Sequence, residues 1–451
     1  MSDWSAKEQE LLETCERGVQ LALDAGADQA EVYAVYGREF EVSFEKNDLH
    51  QVSEVSETSF GVRVIRDHRL GFSNSNQPGD LSKASQEAVA LAKASPPDAF
   101  NGLTHPLEVP ETTGTLDPEL MNPDTETWTR TAVDWVRSAL AQDTRLTLDS
   151  GAMSRSSGAT AIASSTGVRA SGCTASAQAY LFGMAVDGDK IGSFAAEGDR
   201  LRRLDQLDAV LDDIRQRFAE RALNALDTRK GESFEGPVVL TPETVQSFLV
   251  SNLLAALKAD GVRKGQSPLA SRVGESIAMD GFSLREEGAG LPGFPLLPFD
   301  REGMPRRALG LVEGGILRSF LYDAYEGRAI GRSSTGHAVG GPSSPPAVGA
   351  SCLSLAPGSV DYQELLDVEK GVVVPRFAGT TNPVTGDFSG VVKGGMLIQR
   401  GEIVPVRETT IAGNLYTCLK DIDRISRERR TLYGTSILPA VRIQGVAVTA
   451  G

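Results

Sequence analysis

Apolar residues change their spacing along this chain, and the changes mark its elements. Leu11 or Leu12, Cys15, Val19 and Leu23 recur at the interval of one helix face, with Ser5 and Glu8 reading as a capping box at the start and Gly26 as the stop. From Glu31 to Ser73 the period falls to two, with Val42 and Phe44 in one run and Phe60, Val62 and Val64 in another. Turn residues at Asn47-Asp48 and Asp67-His68 separate the runs, which predicts an antiparallel meander. Asp80 then reads as the cap of a second helix carrying Leu81, Ala84, Ala88 and Leu91 or Ala92 on one face, ended by Pro96-Pro97.

Six prolines between Pro96 and Pro123 interrupt any periodicity, as expected of a linker or a long surface excursion. Beyond it the same order returns. A helix is predicted over Thr125 to Ala141, short strands over Leu146 to Phe194 with turns at Ser165-Thr166-Gly167 and Asp187-Gly188-Asp189, and an amphipathic helix over Leu204 to Leu226. Residues 1–230 are therefore expected to form an N-terminal α+β domain of two helix, meander, helix submodules, 1–115 and 116–230. After Lys230 short apolar runs (Pro237 to Leu240, Leu309 to Val312, Val372 to Val374, Gly395 to Ile398, Ile403 to Val406) are broken by Gly and Pro. They predict a β-rich C-terminal domain, 231–451, with an antiparallel sheet or barrel-like core. One helix stands out there: Pro242-Glu243 after Thr241 opens it, and Val245, Phe248, Leu249, Asn252, Leu253, Ala256 and Leu257 follow at helical spacing. The fold class is α+β.

At 451 residues the chain is expected to hold two or three domains. Its net charge of -15 repels phosphate backbones and anionic lipid, so neither nucleic acid nor a membrane surface is an expected partner. The opening residues lack a basic segment, and no apolar run reaches the roughly 18 to 20 residues of a bilayer span. Cys15, Cys173, Cys352 and Cys418 are far apart and form no CxxC pair, which points away from a disulfide framework or zinc knot and towards a reducing cytoplasm.

Several motifs fail on their context. Gly288-Ala289-Gly290-Leu291-Pro292-Gly293 matches GxGxxG, but Pro292 sits inside it and prolines follow where a dinucleotide site needs a helix. Asp187-Gly188-Asp189 starts like a calcium loop and lacks its closing Glu, so a hairpin turn is expected. No GxSxG elbow or P-loop occurs. His50, His68, His105 and His337 form no pair at helical spacing, which excludes a zincin motif; His50 and His68 fall near hairpin ends and His105 in the proline-rich stretch. His337 lies in the small-residue loop Ser333 to Gly341, where backbone donors can approach a ligand or another chain. Ser334 or Thr335 with His337 would make a nucleophile and base, with no orienting carboxylate assignable from the sequence.

Ordered blocks of the second half resemble the TldD/PmbA family. They are Pro298-Phe299-Asp300-Arg301-Glu302-Gly303-Met304-Pro305, Val312-Glu313-Gly314-Gly315-Ile316-Leu317, Leu321-Tyr322-Asp323-Ala324-Tyr325, Ser334-Thr335-Gly336-His337, Gly386-Asp387-Phe388-Ser389 and Arg407-Glu408-Thr409-Thr410-Ile411-Ala412-Gly413-Asn414. The first half is similar more loosely. Metal-binding members carry His-Glu-x-x-x-His on the helix opening the C-terminal domain and a cysteine near the chain end; here Gln246 to Lys258 holds no such ligand, and Cys418 lies too early. The resemblance is thus to the PmbA (TldE) type. It implies a chain with no metal or catalytic residue of its own, paired with a zinc-bearing TldD-like subunit around a chamber where unstructured peptides are cut. Asp300, Glu302, Thr335, His337 and Asn414 are the candidates it offers for chamber, substrate or interface contacts; turn-setting and loop satisfaction explain the same residues equally well. Without such a partner, a homodimer or other homo-oligomeric peptide-binding scaffold is the alternative.

Overall fold

The structure is a computed structural model that describes residues 2–111, 114–121, 124–407 and 409–450. Pro123 of the predicted linker and Glu408 of the last resembling block lie outside these residues. Helix α1 (Ser2–Asp24) leads into strands β1 (Gln29–Glu45), β2 (Asp48–Arg66) and β3 (Arg69–Ser75) and helix α2 (Leu81–Ala94). After α3 (Pro118–Met121) the order recurs as α4 (Thr125–Leu140), β4 (Leu146–Ser164), β5 (Arg169–Asp187), β6 (Lys190–Ile191), β7 (Ala195–Leu201) and α5 (Leu207–Asn224). Both predicted first-half turns are tight, with positive φ at Lys46 and Asn47 and at Asp67 and His68, the conformation that matches the twist of a two-residue hairpin.

The two helix starts differ from expectation. Helix α1 begins at Ser2 instead of using Ser5 as its cap, because Trp4 is buried and its ring lies 5.7 Å from that of Tyr36, which anchors an extra turn. Asp80 does precede α2, but its carboxylate accepts from Ser75 Oγ at 3.1 Å, and the 3-10 turn Pro78–Asp80 supplies the entry. The two submodules share one sheet: β1 pairs antiparallel with β4 from Glu31–Ser164 to Glu45–Ser150, giving the order β3-β2-β1-β4-β5 with β6 and β7 both on β5. Helices α1, α2, α4 and α5 pack on this sheet and join it in a single apolar core.

The period-two pattern decides what the opposite face carries. Ala30, Val32 and Ala34 of β1 and Phe60, Val62 and Val64 of β2 belong to the helix-side core. The alternating positions, Glu31 and Tyr33 on β1 and Gly61 and Arg63 on β2, therefore point the other way, and Glu31 stands directly opposite Arg63 in the register. A Cβ on Gly61 would meet the Pro342 carbonyl oxygen at 2.4 Å, so the second half of the chain lies hard against this face.

That half is built on a thirteen-stranded sheet, and the fold is α+β with a β-rich C-terminal half, as expected. Its pairing is mostly antiparallel with two parallel exceptions. Strand β8 (Phe234–Leu240) runs parallel to Lys370–Val374 and antiparallel to the long strand Ser436–Ala450, which also pairs parallel with Leu353–Leu355. The predicted helix opens at Pro242, passes through a π-helical stretch at Val245–Val250 and ends with Ser251–Ala256. Phe248 meets Phe377 tilted and Phe388 edge-on there, with ring centroids 4.8 Å from each. No helix among the described residues is long and apolar enough to cross a membrane.

Candidate functional site

The loop Pro298 to Met304 drops onto the polar face of the first sheet and completes a chain of buried ions. Arg301 Nη1 donates to Glu31 Oε1 at 3.0 Å, Arg63 Nη2 to Glu31 Oε2 at 2.5 Å, and Arg63 Nη1 to Glu302 Oε1 at 3.0 Å. Glu302 Oε2 accepts from the Ala324 backbone N–H at 2.8 Å, which ties in the helix Ala324–Ala329. None of these four side chains is more than 7% exposed. Two cations alternate with two anions, so the row is neutral. Burial works against the Arg63 charge, but Glu31 and Glu302 outweigh it and raise its pKa above the usual arginine range.

Asp300 shapes the same loop. Its Oδ1 accepts from the N–H groups of Glu302 at 2.9 Å and Met304 at 3.0 Å, and its Oδ2 from Ala338 at 2.9 Å. Desolvation, with Glu302 adding repulsion, pushes its pKa up to about 7. Asp323 caps the helix at Ala324 by accepting from Glu326 N–H at 2.8 Å, and burial followed by Glu302 raises it to about 6. A cleft of about 510 Å³ opens beside these groups, with Arg63, Glu302, Asp323 and Glu326 on one wall and the proline-rich stretch on the other. That stretch is gripped by the short helix: Tyr325 Oη donates to Asp98 at 2.7 Å, and Arg328 donates to the carbonyls of Phe100 and Gly102 at 2.7 and 2.8 Å.

Thr335 and His337 meet, with 2.8 Å between Thr335 Oγ1 and His337 Nδ1. The hydroxyl donates to the Tyr322 carbonyl at 3.0 Å and accepts from the Tyr322 N–H at 2.9 Å, which leaves His337 to donate from Nδ1. Nε2 then carries the free lone pair, is buried, and has no hydrogen-bond partner among the described residues. A hydroxyl committed to backbone on both sides and a histidine only 1% exposed are not arranged as nucleophile and base. Asp300, Glu302 and His337 are all interior groups at the junction of the two halves. Asn414 lies elsewhere: it caps the helix Leu415–Lys420 by accepting from Tyr416 and Thr417, and its Nδ2 holds Thr385 and Asp387 in the neighbouring turn. Glu31, Arg63, Arg301 and Asp323 were missed from the sequence; the available signal was a pair of opposite charges, Glu31 and Arg63, inside otherwise apolar strand runs.

Burial and the nearby Arg306 charge lower the His337 pKa from 6.5 to about 4. As pH falls below 6.5 the unfolded chain gains a proton that the folded chain refuses until about pH 4, so the stability from a neutral His337 is lost on acidification across that window. Asp300 and Asp323, with raised values, act in the opposite sense. We expect His337→Leu to remove only the histidine contribution, so that the stability difference between variant and wild type in urea titrations shifts by on the order of 3 kcal/mol in the variant's favour between pH 6.5 and 4. A difference that does not vary with pH would mean that His337 takes up its proton as readily in the folded chain as in the unfolded one.

The stretch 245–256 holds no His, Cys, Asp or Glu. Phe248, Leu249 and Leu253 point into the core, Gln246 donates to Thr435, and Asn252 donates to the Phe248 carbonyl at 2.6 Å. Neither amide is the imidazole, carboxylate or thiolate that zinc takes. Cys418 is a buried free thiol, pushed up to about 12 by burial and by Asp421. Among the described residues no group of three or more His, Cys, Asp or Glu side chains is placed to hold a metal ion.

Residues 233–450 match the PmbA/TldA metallopeptidase C-terminal domain and residues 30–92 match domain 1 of the same proteins. The metalloprotease PmbA homolog of Haemophilus influenzae is 28% identical, over 98% of this chain and 97% of its own length. Metalloprotease PmbA of Escherichia coli O157:H7 is 26% identical, over 95% and 96%. The crystal structure of TldE from Thermococcus kodakarensis superposes with a TM-score of 0.87 at 23% identity, covering 97% of this chain and all of that one, so the fold is common to both. With two domains matched and relatives aligned from end to end, the chain belongs to the PmbA/TldD family of metallopeptidase-like proteins.

Proposed function

We propose that this chain is the non-metal-binding, TldE-type subunit of a heteromeric peptidase in which a TldD-like partner supplies the zinc. Unstructured peptides are cut in a chamber between the two, and this chain shapes that chamber and stabilises its partner. What supports this reading is the stretch 246–258, which holds core side chains and amides bonded within the chain and no His, Cys, Asp or Glu. Four buried free cysteines suit a reducing cytoplasm as the site of action.

The test is cleavage of an unstructured peptide by the purified chain, by its zinc-bearing relative from the same genome, and by the mixture, with bound zinc quantified in each. Cleavage that needs both chains, with zinc carried by the relative, is expected. Zinc-dependent cleavage by this chain alone would overturn the proposal. Inactivity of every sample, with peptide still bound, would favour a homo-oligomeric peptide-binding scaffold.

A further inference from the structure

A second, smaller cavity of about 240 Å³ lies at the junction, between the polar face of the first sheet and the loop that carries Asp300. Three guanidinium groups line it. Arg301, 2% exposed, stacks 4.0 Å from the Tyr33 ring; its Nη1 is held by Glu31, while its Nη2 is buried and makes no hydrogen bond among the described residues. Arg202 gives Nη1 to the Ala175 carbonyl at 3.2 Å, and its Nε is likewise buried without a partner. Burial, reinforced by Arg200, lowers its pKa from the usual arginine value, the mark of a cation short of a counter-charge. Arg306 is aimed by the Phe299 carbonyl, 3.0 Å from its Nε, and by Ser351.

The one acid on this wall is Asp300, whose oxygens already accept three backbone N–H groups. Arg301 is answered by Glu31, which leaves Arg202 and Arg306 facing one carboxylate whose oxygens are already occupied, a local excess of positive charge in a chain of net charge -15. Such an excess in a partly dry cavity is costly unless an anion completes it. Guanidinium donors match the oxygens of a carboxylate or phosphate, and Thr160 and Thr174 on the sheet side add hydroxyls. The volume admits one such group with a few attached atoms.

We propose that this cavity is a binding site for a small oxyanion, the carboxylate or phosphate end of a ligand, gripped by Arg202, Arg301 and Arg306. The site belongs to this chain alone and is independent of the peptidase reading. Isothermal titration calorimetry of the full chain with inorganic phosphate, with a short peptide ending in a free carboxylate and with its amidated twin tests the site. Saturable one-to-one binding is expected, weakened at least about tenfold by Arg202→Gln and by Arg306→Gln, neither of which touches the Glu31–Arg63–Glu302 row. Binding of phosphate assigns the site to phosphate-bearing ligands; binding of the free-acid peptide and not the amide assigns it to carboxylates. Should Arg202→Gln unfold, Thr174→Phe fills the cavity from the sheet side without removing a charge and is expected to abolish binding. Absence of saturable binding by all three probes, or affinity unchanged in the variants, overturns the site.

Discussion

Arg63→Met is expected to destabilise the chain by about 3–5 kcal/mol, because it leaves the Glu302 carboxylate buried without its cation and strips one of two from Glu31. Burying ions costs solvation, so the intact row adds little net stability; its removal by halves is what costs. The double variant Arg63→Met with Glu302→Met should recover much of the loss, since Arg301 remains to hold Glu31. Urea unfolding followed by circular dichroism measures both. A loss below about 1 kcal/mol in the single variant would show that water reaches the row and that it behaves as a surface pair. The row also ties the two halves together, because Arg301 and Glu302 of the second half meet Glu31 and Arg63 of the first sheet.

Phe248→Ala is expected to cost about 3–5 kcal/mol, the range for emptying a buried aromatic site. Phe248 is 2% exposed and touches two partners that also meet each other, Phe377 and Phe388 at 6.0 Å between centroids. The three rings join the π-helical stretch to the strands Arg376–Thr381 and Asp387–Lys393. Phe248→Leu should cost roughly half as much, by filling part of the volume without the ring contacts. Equal losses for the two variants would place the energy in aromatic geometry rather than in filled volume.

Much of this was legible in the chain itself, for identifiable reasons. Long alternating runs announced β1 and β2, and the tight turns at Asn47 and His68 were marked by residues that tolerate positive φ. The second-half strands were found from their apolar runs, and the Pro242 helix from its start signal and spacing. The misses came where a distant contact decides a local matter. Trp4 extends α1 past its apparent cap, a preference no nearby residue encodes. The grip of Arg328 and Tyr325 on the proline-rich stretch comes from more than 200 positions away and has no local signal. Asp300, Glu302 and His337 were chosen from resembling blocks, and the structure gives those blocks an internal task at the junction; Arg63, the cation that answers Glu302, lies on a strand where a lone charge looks incidental.

The position of β8 has a consequence for the order of events during synthesis. This strand leaves the ribosome at the start of its half, yet its two neighbours are Lys370–Val374 and Ser436–Ala450, some 130 and 200 residues later. The first sheet, by contrast, has all its strands within the first 201 residues. The N-terminal half can therefore fold while the chain is still being made, whereas β8 has both edges bare until Lys370–Val374 emerges and one edge bare until Ser436–Ala450 follows. Over that interval its apolar Val238, Val239 and Leu240, buried in the finished fold, are open to wrong partners.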